Sequence, residues 1–223
     1  MLLGTKQKYW SDILGREFHF DFFEPSVKPS FMVIMLGGSG ISEEEYAKRS
    51  QSVIPVFDKE FTQLSPDFSF IFVYVTAPYD VRINDLNNDE DEAERWERHV
   101  SRELLRHLPN LPFYFIGYSG GLVLALHCLA NHSRCFGGGA LGGDLIPRDL
   151  AENFTCDESL ALYYNLQDRV FELNREAIEI LMDEEIIQFY RKLPGGHNLL
   201  DYIQNGSFGG LVRRANRLLR EEE

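Results

Sequence analysis

The sequence comprises 223 residues, 44% hydrophobic and 26% charged, with a formal net charge of −13. That composition excludes a disordered or fibrous chain. The acidic balance argues against nucleic acid, since no basic surface is in excess to neutralise phosphates, and against docking on an anionic membrane. The length suits one domain, residues 1–223, with a single sizeable core.

Cys128, Cys135 and Cys156 are odd in number and lack CxxC spacing, so reduced thiols in a cytoplasmic protein are the expectation. The opening MLLGTKQKYWSD has no signal-peptide apolar stretch, and no apolar run approaches the ~18 residues of a membrane span.

In chain order, REFHFDFF (16–23) alternates apolar and polar positions, as an edge or antiparallel strand does. FMVIML (31–36) is continuously apolar, the pattern of a parallel strand covered on both faces. Ser42 and Glu45 have capping-box spacing and open a helix from about residue 43, which Pro55 should bend or end. FSFIFVYV (68–75) is a second buried strand. The acidic stretch NDLNNDEDEAERWE (84–97) leads into an amphipathic helix, 91–108, in which Ala93, Trp96, Val100, Leu104 and Leu108 recur at helical spacing before Pro109. Its carboxylates either complement the positive end of that helix or rim a site at the strands' carboxyl ends.

LPFYFIG (111–117) is a third buried strand, followed by an almost wholly apolar helix from Gly120 to His132. CFGGGAL (135–141), SLALYYNL (159–166) and EIIQFYRKL (185–193) are weaker strand candidates, with a helix over 170–182 between the last two. Helical patterns over 198–203 and, after a break at NGSFGG, through Leu211, Val212, Ala215, Leu218 and Leu219 finish the sequence. Strands alternating with helices imply an α/β fold, a mostly parallel central sheet with helices on both faces.

GYSGG (117–121) matches G-x-S-x-G, and it falls where a buried strand ends and an apolar helix begins. Such a turn pushes Ser119 to the top of the sheet. A serine hydroxyl needs a base to remove its proton, and the base needs an acid to fix its tautomer. Both follow in the order Ser…Asp…His: Asp168 ends SLALYYNLQD, and His197 lies in LPGGHN, each just beyond a strand candidate. The bland alternatives are a turn serine, a helix-capping Asp168 and a loop His197. His19, His99, His107, His127 and His132 sit on an edge strand or on helices and fit worse. GGGALG (137–142) also satisfies the dinucleotide fingerprint G-x-G-x-x-G, but only Cys135 and Phe136 are strand-like before it and no helix opens within it.

These residues resemble the α/β-hydrolase family over nearly the whole sequence from residue 31 onward. GYSGG stands as the elbow, NLQDRVF is similar to the family's G-x-x-D-x-V turn with Asn165 in place of glycine, and GGHN resembles its glycine-preceded histidine. The resemblance implies a serine esterase or thioesterase with Ser119, Asp168 and His197 as triad, and with Asp144 in GGDLIP as the alternative acid. It implies an oxyanion hole from the Gly120 amide and from LGGSG (36–40), by position Ser39, with Gly38 second. No metal or organic cofactor is implied. The family's lid usually follows the strand after the elbow helix; here Leu145 to Asp157 leaves no room for a large cap, which favours a short or soluble acyl group on a small ester or thioester. The rival is a catalytically silent α/β-hydrolase fold used for binding, with the acid or histidine out of place.

Overall fold

Nine residues of polar character pair with nine that alternate to form the first hairpin of the sheet. β1 (Leu3–Ser11) and β2 (Arg16–Glu24) run antiparallel in unbroken register from Leu3↔Glu24 to Ser11↔Arg16. The remaining strands are β3 (Phe31–Leu36), β4 (Phe70–Val75), β5 (Phe113–Tyr118), β6 (Cys135–Leu141), β7 (Leu160–Asn165) and β8 (Ile187–Leu193). Together the described strands make one eight-stranded sheet in the order β1-β2-β4-β3-β5-β6-β7-β8. β2 is antiparallel to β4, and every pairing from β4 to β8 is parallel. The computed structural model describes residues 3–37, 55–57, 59–61, 69–75, 90–143, 146, 148–154 and 160–221.

The helices that bear on the site and cores are α1 (Glu90–Arg102), α2 (Gly121–Asn131), α3 (Arg148–Asn153), α4 (Val170–Leu173), α5 (Arg175–Asp183), α6 (Leu199–Gln204) and α7 (Ser207–Glu221). Because successive strand residues point to opposite faces, the central strands need two cores. Met32, Ile34 and Leu36 of β3 join Trp96 and Val100 of α1, the apolar face of α2, and Ile178 and Leu181 of α5. Phe31, Val33 and Met35 point the other way, into Phe57, α6 and the Leu211–Val212–Ala215 face of α7. Continuous apolar runs are therefore what this sheet requires, and helices cover both faces.

Four local features depart from the sequence expectation. β1 carries Thr5, Lys6, Gln7 and Lys8 and shows no apolar period; it is a strand because β2 offers it a complete backbone ladder, and it makes β2 an inner strand. The helix over 91–108 ends at Arg102 and gives way to a 3₁₀ turn at Leu104–Arg106, since the Glu103 carboxylate is held by the amides of Asp12 and Ile13. The helix over 170–182 is split at Asn174, whose buried side chain accepts the Ile146 N–H. SFGG, expected to break the helix, lies inside α7; a side chain at Gly210 would strike the Tyr163 hydroxyl at 2.5 Å, so the bare position leaves room for the Tyr163 side chain beside α7. The helix expected from residue 43 lies outside the described residues up to Ile54, although the backbone is helical at 55–57 and 59–61, from the proline expected to bend or end it.

The approach of α2 to β3 fixes where β5 can deliver its carboxyl end. A Cβ on Gly121 would lie 2.1 Å from the Leu36 carbonyl oxygen, a backbone atom that cannot swing aside. Gly121→Ala should therefore lower stability by about 3 kcal/mol or more, the upper range for overpacking, read as a fall in the urea unfolding midpoint.

Candidate active site

β5 ends at Tyr118 and α2 begins at Gly121, leaving two residues to reverse the chain. Ser119 takes up the strain of this turn, with φ of 52°, a left-handed conformation that costs an L-residue roughly 1–2 kcal/mol. The Leu122 amide closes the turn on the Ser119 carbonyl at 2.9 Å. Ser119 keeps only 9% exposure.

The other two strands supply their loops as a stitched pair. Beyond β7 the chain turns at Asn165, where the Asp168 amide donates to the Asn165 carbonyl at 2.9 Å. Beyond β8 it passes Pro194, Gly195 and Gly196 to His197, and Asn198 then caps α6 by accepting the Leu200 N–H at 3.0 Å. The Leu166 and Gln167 amides donate to the carbonyls of Leu193 and Gly195, at 2.8 and 3.0 Å, so the ladder between β7 and β8 continues past both strands. Asn165, fully buried, locks the pair: its side-chain amide donates to the Gly196 carbonyl at 2.8 Å, and its oxygen accepts from Asn205 at 2.7 Å.

These supports bring the three sequence-selected residues together. Ser119 Oγ lies 2.9 Å from His197 Nε2, and His197 Nδ1 lies 2.7 Å from Asp168 Oδ2. The Asp168 side chain is wholly buried, while that of His197 is 29% exposed. Asp168 Oδ1 accepts the Val170 N–H at 3.1 Å, so the residue also caps α4, and the two roles the sequence left open are compatible. Tyr202 of α6 donates its hydroxyl to Asp168 Oδ2 at 2.6 Å. Burial opposes ionisation of Asp168, but the His197 and Tyr202 hydrogen bonds, the imidazole's charge and the Val170 amide outweigh it and hold the carboxyl below its ordinary range. Tyr118 stacks its ring on His197 with centroids 5.6 Å apart, which limits the imidazole's swing.

Of the expected oxyanion donors, Gly120 sits at the amino end of α2, where the first amides of a helix have no partner within it. Ser39 and Gly38 lie outside the described residues, as do Asp144 and Cys156. Gly37, just before them, has already given its N–H to the Val75 carbonyl at 2.7 Å. GGGALG belongs to β6 and the turn after it; no helix opens within it, and the dinucleotide reading falls. Asn165, Tyr202 and Asn205 escape sequence reasoning: the first occupies a position where the resemblance expects glycine, and the second reads as an apolar helix position.

A second serine, histidine and carboxylate meet beneath the first hairpin. His99 Nδ1 lies 3.0 Å from Ser11 Oγ and 2.9 Å from Glu103 Oε2, and its Nε2 lies 3.2 Å from the Tyr9 hydroxyl. Here serine and acid crowd one ring nitrogen instead of taking opposite ones, and Ser11 and His99 have no exposed surface. The cluster pins the hairpin to α1. Burial, partly offset by Glu103, lowers the His99 pKa to about 4. Because the folded value lies below the unfolded ~6.5, the stability tied to neutral His99 is complete above pH ~6.5 and is lost as pH falls toward about 4. Unfolding free energy should therefore drop across that window with the slope of one extra proton bound by the unfolded chain, and a His99→Gln variant should lack that slope in urea titrations.

No protein-family model and no curated protein sequence matches the chain. Solved structures do. A ferulic acid esterase superposes with a TM-score of 0.71 at 15% identity, over 95% of this chain and 97% of that one. An S-formylglutathione hydrolase from Agrobacterium tumefaciens gives 0.70 at 15% identity, over 97% and 96%. An enterochelin esterase from Shigella flexneri gives 0.68 at 18% identity, covering 94% of this chain and 57% of that one. The likeness is one of architecture: the chain has the α/β-hydrolase fold of these esterases.

Proposed function

We propose that the chain is a serine hydrolase that cleaves a carboxylic ester or thioester through an acyl-enzyme. The observation that carries this reading is the continuous relay from Ser119 Oγ through His197 to Asp168, at 2.9 and 2.7 Å, on a strained elbow. A silent fold would leave the acid or the histidine out of reach; hydrogen bonds at both ring nitrogens support the active reading.

In the proposed reaction Ser119 Oγ attacks the acyl carbon as His197 Nε2 takes the hydroxyl proton. The carbonyl oxygen becomes an oxyanion, stabilised by the Gly120 amide and by that of Ser39 or, second, Gly38. Collapse expels the alcohol or thiol, which receives the proton from His197. A water then gives a proton to His197, attacks the acyl carbon and releases the acid, and the proton returns to Ser119. Asp168 holds the imidazole tautomer and the imidazolium formed in each half. The chain works as one domain, a reading supported by a sheet that runs without interruption from β1 to β8.

Short or soluble acyl groups fit best. Where a lid would be inserted, residues 145–157 contain only the six-residue α3 among the described residues. Structural neighbours named for ferulic acid and for S-formylglutathione support a small ester or thioester. A reducing, cytoplasmic setting is supported by Cys128 and Cys135, buried and outside any disulfide; no described helix is long and apolar enough to cross a membrane.

A fluorophosphonate probe should label the wild-type protein at Ser119, and Ser119→Ala should abolish both labelling and p-nitrophenyl acetate turnover while the protein stays folded. Labelling retained in that variant would remove the assignment. Asp168→Asn should reduce kcat by about 10³–10⁴, because it favours the wrong imidazole tautomer, whereas Asp144→Asn should be mild. The reverse ranking would move the acid to Asp144.

A further inference from the structure

The carboxylate oxygen that receives the His197 proton donor is not His197's alone. Asp168 Oδ2 lies 2.7 Å from His197 Nδ1 and 2.6 Å from the Tyr202 hydroxyl. The direction of the second bond is fixed, because the Asn165 N–H donates to the same Tyr202 oxygen at 3.0 Å. With that lone pair taken, the phenol proton points to Asp168. The arrangement has a dedicated space: Gly142 faces the pair, and a Cβ there would lie 2.8 Å from the Tyr202 oxygen and 2.9 Å from Asp168 Oδ2. Tyr202 is itself fully buried in α6.

We propose that Tyr202 is a positioning residue that sets how strongly Asp168 holds the His197 imidazolium, by competing for the oxygen that binds it. The inference rests on the serine-hydrolase reading given above. A phenol donating to Oδ2 withdraws charge from it and lowers the pull on the protonated ring, so His197 returns its proton to the leaving group more readily. Burial and the Asp168 charge hold the Tyr202 phenol far above its ordinary value, so it remains a donor at every pH of interest. Among the described residues, Tyr118 of β5 also stacks on the imidazole, and the Asp201 carboxylate of α6 accepts the N–H of Gly196, the residue before His197, at 2.9 Å.

The test is Tyr202→Phe, which keeps the ring and removes the competing proton. The acid limb of kcat/KM for p-nitrophenyl acetate should move up by about one pH unit, as loss of a hydrogen bond to a buried carboxylate strengthens its remaining partner. Replacing Tyr202 by 3-fluorotyrosine, nearly isosteric and a stronger donor, should move the limb down. The His197 imidazole resonance, followed by proton NMR and identified by its loss in His197→Gln, should shift in the same two directions. A purely structural role for Tyr202 would lower the melting temperature and kcat but leave both titrations in place, and that result overturns the proposal. If Ser119 proved not to be the nucleophile, the hydrolase reading would fail in the labelling experiment, while the NMR titration would still decide the Tyr202 coupling.

Discussion

A carboxylate with a wholly buried side chain, whose ion-pair partner among the described residues is His197, is the constraint around which the site is arranged. Removing Asp168 from water costs several kcal/mol unless donors replace the lost hydration. Three donors do so: His197 Nδ1 and the Tyr202 hydroxyl at Oδ2, and the Val170 amide at Oδ1. Each comes from a different segment, so the loop after β8, the helix α6 and the start of α4 must all be in register before the charge is tolerated. The backbone ladder that runs past β7 and β8, and Asn165 across it, supply that register.

The two serine–histidine–carboxylate clusters show that residue identity does not make a relay. Ser11, His99 and Glu103 also meet at hydrogen-bond distances, 3.0 and 2.9 Å, yet serine and acid share one nitrogen there and neither the ring nor the serine has exposed surface. The relay needs opposite nitrogens, so that a proton gained on one side is stabilised from the other. It also needs a partly open ring, and His197 has one. Burial makes His99 a neutral structural pin; His197 keeps an accessible ring, as the proposed reaction requires.

Much of this was legible because it is written in local pattern. Apolar runs gave β3 to β8 within a few residues, and the glycines around Ser119, with Asp168 and His197 just past later strands, gave the relay. What escaped depends on partners distant in sequence. β1 has no apolar period of its own and exists through its ladder to β2. The SFGG segment reads as a break because the reason for glycine at 210 is the Tyr163 hydroxyl, forty-seven residues earlier and in place only once α7 is docked. Tyr202 looked like one more apolar position on a short helix, and nothing in its spacing announces that its hydroxyl ends on an acid 34 residues away. Asn165 is the reverse case: the substitution for glycine looks like a defect in the motif, yet its side chain ties the two loops together.

The order of the strands has a consequence for how the protein is made. From β5 to β8 the sheet grows outward in chain order, each strand pairing in parallel with the one synthesised before it. Ser119 leaves the ribosome 78 residues ahead of His197. At translation rates of about 5–20 residues per second that is a delay of roughly 4–16 s. Through that interval the strained elbow has β3 and α2 beside it but not its 2.9 Å partner, His197 Nε2. On the serine-hydrolase reading proposed above, the nascent chain would carry an idle serine until the outermost strand and the loop beyond it dock.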